Sequence, residues 1–434
     1  MANANARDVV IVEGVRTPFA KSGTVLKNVH AKDLGRSALK ELLQMTNLDP
    51  KLVDEVIIGN TGSPSDAVNI ARVVALNAGI PLEVSAHTVH RNCASAMESI
   101  AGGFDKIKAG VADIVIAGGT ESMSDMPLLF SRSFANKFGA FAAAKTIGAK
   151  LGALKKIKLK DLKPRISIIE GLTDPFVGIN MGQTAEILAK EFQISRKEQD
   201  EFAVKSHQKA VAAQKSGRFA KEITPFYLGP DYKKVITDDV GPRDGQSMEQ
   251  LAKLKPFFDR KFGTVTPGNS CPITDGAAML LLMSREKAQQ LGYKPIASIK
   301  SYSFRGLEPE RMGLGPAYAT PHALKKAGLE LKDIGLVELN EAFAAQVIAC
   351  EKAMASDKFA QEKLGLSKAV GTIDPSKLNV NGGAIALGHP VGTTGTRLVL
   401  TLMKEMQLKN VQFGLATLCI GGGQGGAMII EREA

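Results

Sequence analysis

The strongest constraint on this chain is a rhythm of short apolar runs and helical stretches that occurs twice. Val9–Val12, Val53–Gly59, Ala86–Val89 and Asp113–Gly119 read as strands. Between them, Asp33–Met45, Ala67–Ala78 and Ala94–Ala109 carry apolar residues at helical spacing, with Asp33 as an expected cap for the first. Far downstream the pattern returns. Pro295–Lys300, Gly335–Leu339, Phe413–Leu418 and Ala427–Ile430 read as strands, and Pro316–Ala327 and Ala342–Ala355 as helices. A further strand-to-helix turn lies within Asn379–Arg397. Alternation of this kind predicts an α/β fold with a largely parallel sheet, and its recurrence predicts a duplication.

The stretch from Ser122 to about Lys255 breaks the rhythm. It holds a basic block, a helix near Gly182–Phe192 and a second over Arg196–Ser216 opened by the capping box Ser195-x-x-Glu198. Gly276–Met283 is apolar again and resumes the sheet. The predicted organisation is therefore a first half made of residues 1–125 and 256–290, an inserted loop domain at 126–255, and a second half at 291–434.

Composition removes several function classes. No apolar run approaches the roughly 20 residues a membrane span requires, and Met1–Arg7 lacks the apolar core of a secretory signal. The four cysteines, Cys93, Cys271, Cys350 and Cys419, form no CxxC pair. That pattern speaks against a zinc cluster or a disulfide framework and fits a reducing compartment. The net charge is +11, but it is local: between Met126 and Glu170 ten basic residues face two acidic ones. With no tryptophan and five tyrosines, base stacking has little to work with, so nucleic-acid binding is disfavoured.

The chemistry is expected at polar turns that follow apolar runs. Cys93 lies where a strand hands over to a helix. The unpaired N–H groups and dipole of a helix start favour a thiolate, which makes Cys93 a candidate nucleophile; simple core packing is the alternative. Three turns in the second half match it: Asn340–Gln346, Asn381–Gly395 and Cys419–Gly425. Their glycines let backbone approach a ligand and present N–H groups to an oxyanion. His389, between Gly388 and Pro390, can serve as base to a thiol. Cys419 before Gly421 can act as an acid/base on carbon if its pKa is tuned. Asn340 can orient a water or donate to an oxyanion, or simply cap a helix. The Gly421–Gly425 run precedes an apolar strand rather than a helix, which argues against a dinucleotide loop.

Together these blocks resemble the thiolase family over essentially the whole chain. The matching motifs, in family order, are Val15–Phe19, Asn92–Ser95, Ala117–Ser124, Met181–Glu186, Gly263–Asn269 with Asp275–Gly276, Asn340–Phe343, Gly388–Pro390 and Cys419–Gly423. The resemblance implies a duplicated thiolase fold, two βαβαβαββ-type halves in a five-layered αβαβα arrangement. It implies a 3-ketoacyl-CoA thiolase in which Cys93 takes the acyl group and His389 activates it. His389 and a water held by Asn340 would bind the thioester oxygen, and Cys419 would exchange the α-proton. The N–H groups of Cys93 and Gly421 would form a second oxyanion hole. Arg243, Phe258, Ser270, Cys271, Met181 and Phe343 match positions that contact CoA or substrate. No metal or redox cofactor is implied, and coenzyme A is the co-substrate.

Three positions depart from familiar variants. Cys271 stands where some thiolases have serine. Asn180 stands where short-chain biosynthetic members often have histidine, which disfavours an acetoacetyl-specific enzyme. The segment Pro127–Pro164 is similar to that of the thiolase β-subunit of the fatty-acid-oxidation trifunctional complex, although that subfamily tends to have histidine at the position of Asn340. Within it Phe141, Ala144, Ile147, Gly148, Leu151 and Leu154 are expected on one helical face, with Lys145, Lys150, Lys155 and Lys156 largely off it. An interfacial helix about residues 137–163 would follow, touching membrane or partner. The implied partners are a second copy of the chain, as dimer or dimer of dimers, and a hydratase/dehydrogenase α-subunit. The implied location is cytoplasm or organelle matrix, peripheral to an inner membrane. The competing readings are acetoacetyl-CoA synthesis from two acetyl-CoA and a non-catalytic acyl-CoA-binding scaffold; a scaffold would need none of Cys93, His389 and Cys419.

Overall fold

The computed structural model describes residues 7–433. Its main sheet is mixed, in the order Leu336–Leu339, Phe413–Ile420, Gln424–Arg432, Ala297–Gly306, Val9–Arg16, Thr274–Ser284, Ile114–Ser122, Glu55–Gly59, Ser85–Val89, and two small two-stranded sheets pair Leu128–Leu129 with Arg165–Ile166 and Phe226–Leu228 with Lys234–Ile236. The short strand Ala20–Lys21 pairs with Thr274–Ser284. Parallel pairing is confined to the two ends: Glu55–Gly59 lies parallel to both of its neighbours, and Leu336–Leu339 lies parallel to Phe413–Ile420. The central pairs are antiparallel, so the largely parallel sheet expected from the sequence is corrected to a mixed one. Two antiparallel strands buried on both faces read like parallel ones, as near-continuous apolar runs. Thr274–Ser284 is buried at every position.

Three apolar clusters give the layers. Alternate residues of one strand face opposite sides, so Ile114 and Ile116 pack outward with Leu34 and Leu42, while Val115 and Ala117 pack inward. The inward cluster joins the helix Ser95–Lys108 of the first half to Thr394–Lys409 of the second, through Met97, Ile100, Leu398 and Leu402. A third cluster covers the far face of the second half with the helices Gly315–Ala327 and Ala344–Met354. The sequence of helix, sheet, paired central helices, sheet and helix is the five-layered arrangement expected.

Helix ends follow their local chemistry. Ser195 and Glu198 form the expected capping box, with Ser195 N–H donating to Glu198 at 2.7 Å and Glu198 N–H to Ser195 Oγ at 3.2 Å. The expected cap at Asp33 shifts: the helix Ala31–Thr46 starts after His30, and Asp33 sits in its first turn, where a carboxylate favours the dipole. The basic block also differs from expectation. It is two helices, Arg132–Ala143 and Ile147–Lys155, because Ala144 turns extended and Thr146 Oγ1 caps the second by accepting from Ala149 N–H at 3.2 Å.

The segment between Ser122 and Thr274 is tied to the first half through buried charge. Arg16 is fully buried, donates to both oxygens of Asp239 at 2.7 Å and to Glu222 at 2.8 Å. Glu222 also takes a bond from Arg218, which reaches Glu405 on the central helix at 2.6 Å. Removing one partner of such a network strands a buried charge. Arg16→Met is expected to cost about 3–5 kcal/mol of unfolding free energy in chemical denaturation; a loss below about 1 kcal/mol would contradict this account.

Candidate active site

The site is built where the two central helices begin. Glycine makes their approach possible: a Cβ on Gly395 would lie 2.3 Å from the Met97 backbone nitrogen, and one on Gly119 would lie 2.0 Å from the Gly392 carbonyl oxygen. Glu121, at the end of its strand, fixes the same junction. Its buried carboxylate accepts from Gly392 N–H at 2.9 Å, from Gly62 N–H at 2.9 Å and from the backbone and hydroxyl of Thr61.

Cys93 stands in the turn just before Ser95–Lys108. The turn is held by Asn92, whose φ is 44°, and by Ser95 Oγ, which donates to Asn92 O at 2.7 Å and accepts from Arg91 N–H at 2.9 Å. Asn92 Nδ2 donates to Gly421 O at 2.7 Å and Arg91 to Gln424 at 3.0 Å, so the nucleophile turn is bonded directly to the glycine run after Cys419. The N–H groups of Gly421 and of Cys93 itself bond to the Cys93 sulfur and favour its thiolate. Burial outweighs them and pushes the thiol above its ordinary value. The thiolate expected from the helix start is thus corrected: the resting group is the thiol.

His389 is buried in a turn entered by Gly388, whose φ is 104°. Its N–H donates to Thr274 Oγ1 at 3.1 Å, and its Nδ1 lies 2.6 Å from Thr394 Oγ1. Thr394 has one hydroxyl proton, which it donates to Pro390 O at 3.0 Å. Nδ1 must therefore carry the shared proton, leaving Nε2 with a free lone pair. Nε2 has no hydrogen-bond partner among the described residues. Burial, with the Arg397 charge behind it, pulls the imidazole down to about 3, so it rests neutral. A neutral thiol and a neutral base with its acceptor nitrogen free are poised to move a proton as attack occurs.

Asn340 is fully buried at the end of Leu336–Leu339, its N–H donating to Thr417 O at 2.9 Å. It is not a helix cap, since Ala344–Met354 starts after Phe343. Neither polar atom of its side-chain amide has a hydrogen-bond partner among the described residues. The next residue, Glu341, carries the turn: it accepts from Ser206 Oγ at 2.6 Å, Asn379 Nδ2 at 2.9 Å and Ile385 N–H at 3.2 Å.

The segment Ser270–Ile273 gathers these parts. Cys271 N–H donates to Ala342 O at 3.0 Å, and Ile273 bridges to His389. Cys93, Cys271 and Cys419 are close enough for the charge of one to raise the pKa of another, and burial lifts Cys271 to about 12 and Cys419 well above the ordinary thiol value. Cys419, Phe343, Met181, Phe258 and Cys271 share one apolar cluster. Met181 Sδ would lie 3.2 Å from a Cβ on Gly421, and Phe258 meets Phe343 edge-on at 6.1 Å. Ser270 Oγ is spent on Thr266 O at 2.7 Å. Arg243 is exposed and outside this cluster; its N–H donates to His207 at 3.2 Å and its guanidinium to Gln246 at 3.4 Å. Of the expected residues, Met181, Phe258, Cys271, Phe343 and Cys419 thus form one apolar group beside Cys93, with Arg243 apart at the surface. Sequence reasoning gave no role to Asn92, Glu121, Thr274, Thr394 and Glu341; all but Thr394 bond to groups far away in the chain.

The resting thiol has a kinetic signature. Alkylation of Cys93 by iodoacetamide is expected to quicken steadily as pH rises past about 8.5. A rate that is already level between about pH 6 and 8 would mark a preformed thiolate and contradict the neutral pair.

Comparisons with known proteins agree with this geometry. The thiolase N-terminal domain matches residues 9–286 and the thiolase C-terminal domain matches residues 293–432. The 3-ketoacyl-CoA thiolases of Shewanella piezotolerans and Shewanella woodyi are each 43% identical over 434 residues, covering 100% of this chain and 99% of theirs. The crystal structure of human mitochondrial 3-ketoacyl-CoA thiolase superposes with a TM-score of 0.86 at 38% identity, over 99% of this chain and 100% of that one. The Bacillus anthracis acetyl-CoA acetyltransferase does so with 0.86 at 37%, over 98% and 99%. With both domains matched and full-length relatives 43% identical, the chain belongs to the thiolase family and is an acyltransferase.

Proposed function

We propose that this protein is a degradative 3-ketoacyl-CoA thiolase working through an acyl-Cys93 intermediate. The observation that carries the reading is the joining of candidate turns from both halves: the Cys93 turn bonds to the glycine run after Cys419 through Asn92 Nδ2 and Gly421 O at 2.7 Å, and Ser270–Ile273 bonds to Ala342 and bridges to His389. Full-length relatives that bear the name 3-ketoacyl-CoA thiolase support it, and a human relative of the same name has been solved with CoA.

In the forward direction the Cys93 thiol passes its proton to His389 Nε2 as the sulfur attacks the keto carbon. The bond between that carbon and the α-carbon breaks, and its electrons form the enolate of acetyl-CoA. The imidazolium N–H of His389, with Asn340 through a water, holds the enolate oxygen. Cys419 gives its thiol proton to the α-carbon, and acetyl-CoA leaves. A second CoA thiol then gives its proton to the Cys419 thiolate and attacks the acyl thioester. The oxyanion is held by the N–H groups of Cys93 and Gly421, and Cys93 leaves with the proton from His389. Splitting one difficult carbon–carbon cleavage into two thioester steps is what covalent catalysis supplies. A raised thiol at Cys419 suits it as a proton donor to carbon.

Met181, Phe258, Phe343, Ser270 and Cys271 are the proposed wall for acyl chain and pantetheine, and Arg243 is the proposed residue near the nucleotide. Medium- and long-chain substrates are the proposed range. The likeness to an acetyl-CoA acetyltransferase structure keeps synthesis of acetoacetyl-CoA as the second reading. Thiolysis profiled across acyl lengths separates them: turnover is expected to extend well past four carbons, and activity confined to the four-carbon substrate would overturn the first reading.

The segment 126–255 is proposed as a loop domain with a docking function. Among the described residues no helix is long and apolar enough to cross a membrane. The helix Arg132–Ala143 instead bears a ladder of Phe130, Phe134, Phe138 and Phe141, with successive ring centres 4.7, 5.8 and 6.1 Å apart. Ile147 is 80% exposed and Leu159 88%, among exposed Lys145, Lys150, Lys155 and Lys156. Apolar rings rimmed by lysines suit an anionic bilayer surface. A second copy of the chain and a hydratase/dehydrogenase subunit are the proposed protein partners. In flotation with anionic liposomes the intact chain is expected to rise with the lipid and a chain lacking 137–163 to stay behind; equal flotation would remove the membrane role.

A further inference from the structure

Asn340 and His389 come from different elements, and one buried ion pair spans those elements. In the strand Leu336–Leu339, Val337 and Leu339 pack into the outer cluster, while Leu336 packs into the central one. The two-residue period therefore turns Glu338, and Asn340 after it, toward the central helices. On the helix Thr394–Lys409, Thr394 holds His389 Nδ1, and Arg397 lies three residues on, along the same face. Arg397 Nη1 donates to Glu338 Oε2 at 2.6 Å, with Arg397 fully buried and Glu338 3% exposed. Among the described residues Arg397 Nε and Nη2 have no hydrogen-bond partner; the same holds for both amide atoms of Asn340 and for His389 Nε2. A pair this deep returns little stability over apolar residues of the same volume, so stability alone gives no reason for it.

We propose that Arg397, clamped by Glu338, is a positioning residue. The pair braces the strand end that carries Asn340 against the helix start that carries Thr394, and through it His389. It thereby sets the separation of the two groups that meet the thioester oxygen. A displacement of even an ångström between such groups costs turnover far more than binding. The inference rests on the proposed roles of Asn340 and His389.

The test is steady-state thiolysis by the full chain carrying Arg397→Met, Arg397→Lys, or Glu338→Gln with Arg397→Met. Arg397→Met is expected to lower kcat by about 30-fold or more while KM for acyl-CoA moves by less than about threefold. Arg397→Lys keeps a single donor to Glu338, which is all the observed contact uses, and is expected to recover about tenfold of that loss. The double variant leaves no unpaired charge, so it is expected to unfold at the wild-type temperature and still keep the low kcat. A double variant with kcat within about twofold of wild type would overturn the brace and reduce the pair to charge balance. Acylation of Cys93 in the wild type is measured alongside. If it occurs and the variants turn over normally, the brace fails and the catalytic reading stands; if it does not occur, the catalytic reading itself fails.

Discussion

Everything in this molecule depends on the contact between the two central helix starts. Each half contributes one helix to the middle layer, and the two meet at backbone distance because Gly395 faces Met97 and Gly392 faces Gly119. A methyl group at any of these would push the layers apart. The contact is then locked by a buried carboxylate, Glu121, which accepts N–H groups from both halves. Because helix starts present unpaired N–H groups and positive dipole ends, bringing two together makes a place suited to negative charge. The nucleophile and the base are both held there by short turns.

The electrostatics of that place are set by burial. Burial raises the cysteine thiols and lowers the histidine. The groups therefore rest uncharged, and charge appears only as bonds change. In the proposed mechanism the N–H groups of Gly421 and Cys93 would meet it, at no cost of reorganisation during the reaction. The tautomer of His389 follows from one hydroxyl: Thr394 spends its proton on Pro390, which leaves the imidazole Nδ1 to donate and Nε2 to accept.

Much of this was legible in the sequence. The strand and helix periods gave the element order, and the glycine-rich turns after strands marked where chemistry belongs. Strand direction was not legible, because Thr274–Ser284 and Val9–Arg16 are covered on both faces and lose the alternation that marks an antiparallel strand. The break at Ala144 was hidden because apolar spacing runs through it; only the capping bond of Thr146 shows where one helix ends and another starts. The supporting residues were hidden for another reason. Glu121 and Asn92 act on Gly392 and Gly421, and such distant pairings carry no local pattern.

The central claim is that Cys93, served by groups from both halves, carries the acyl chain between two molecules of CoA. Peptide mass mapping after brief exposure to a long-chain 3-ketoacyl-CoA without free CoA reads this directly. The account predicts an acyl group two carbons shorter than the substrate's, bound to the peptide containing Cys93. An unmodified Cys93 peptide, or the acyl group on Cys271 or Cys419 instead, would contradict it.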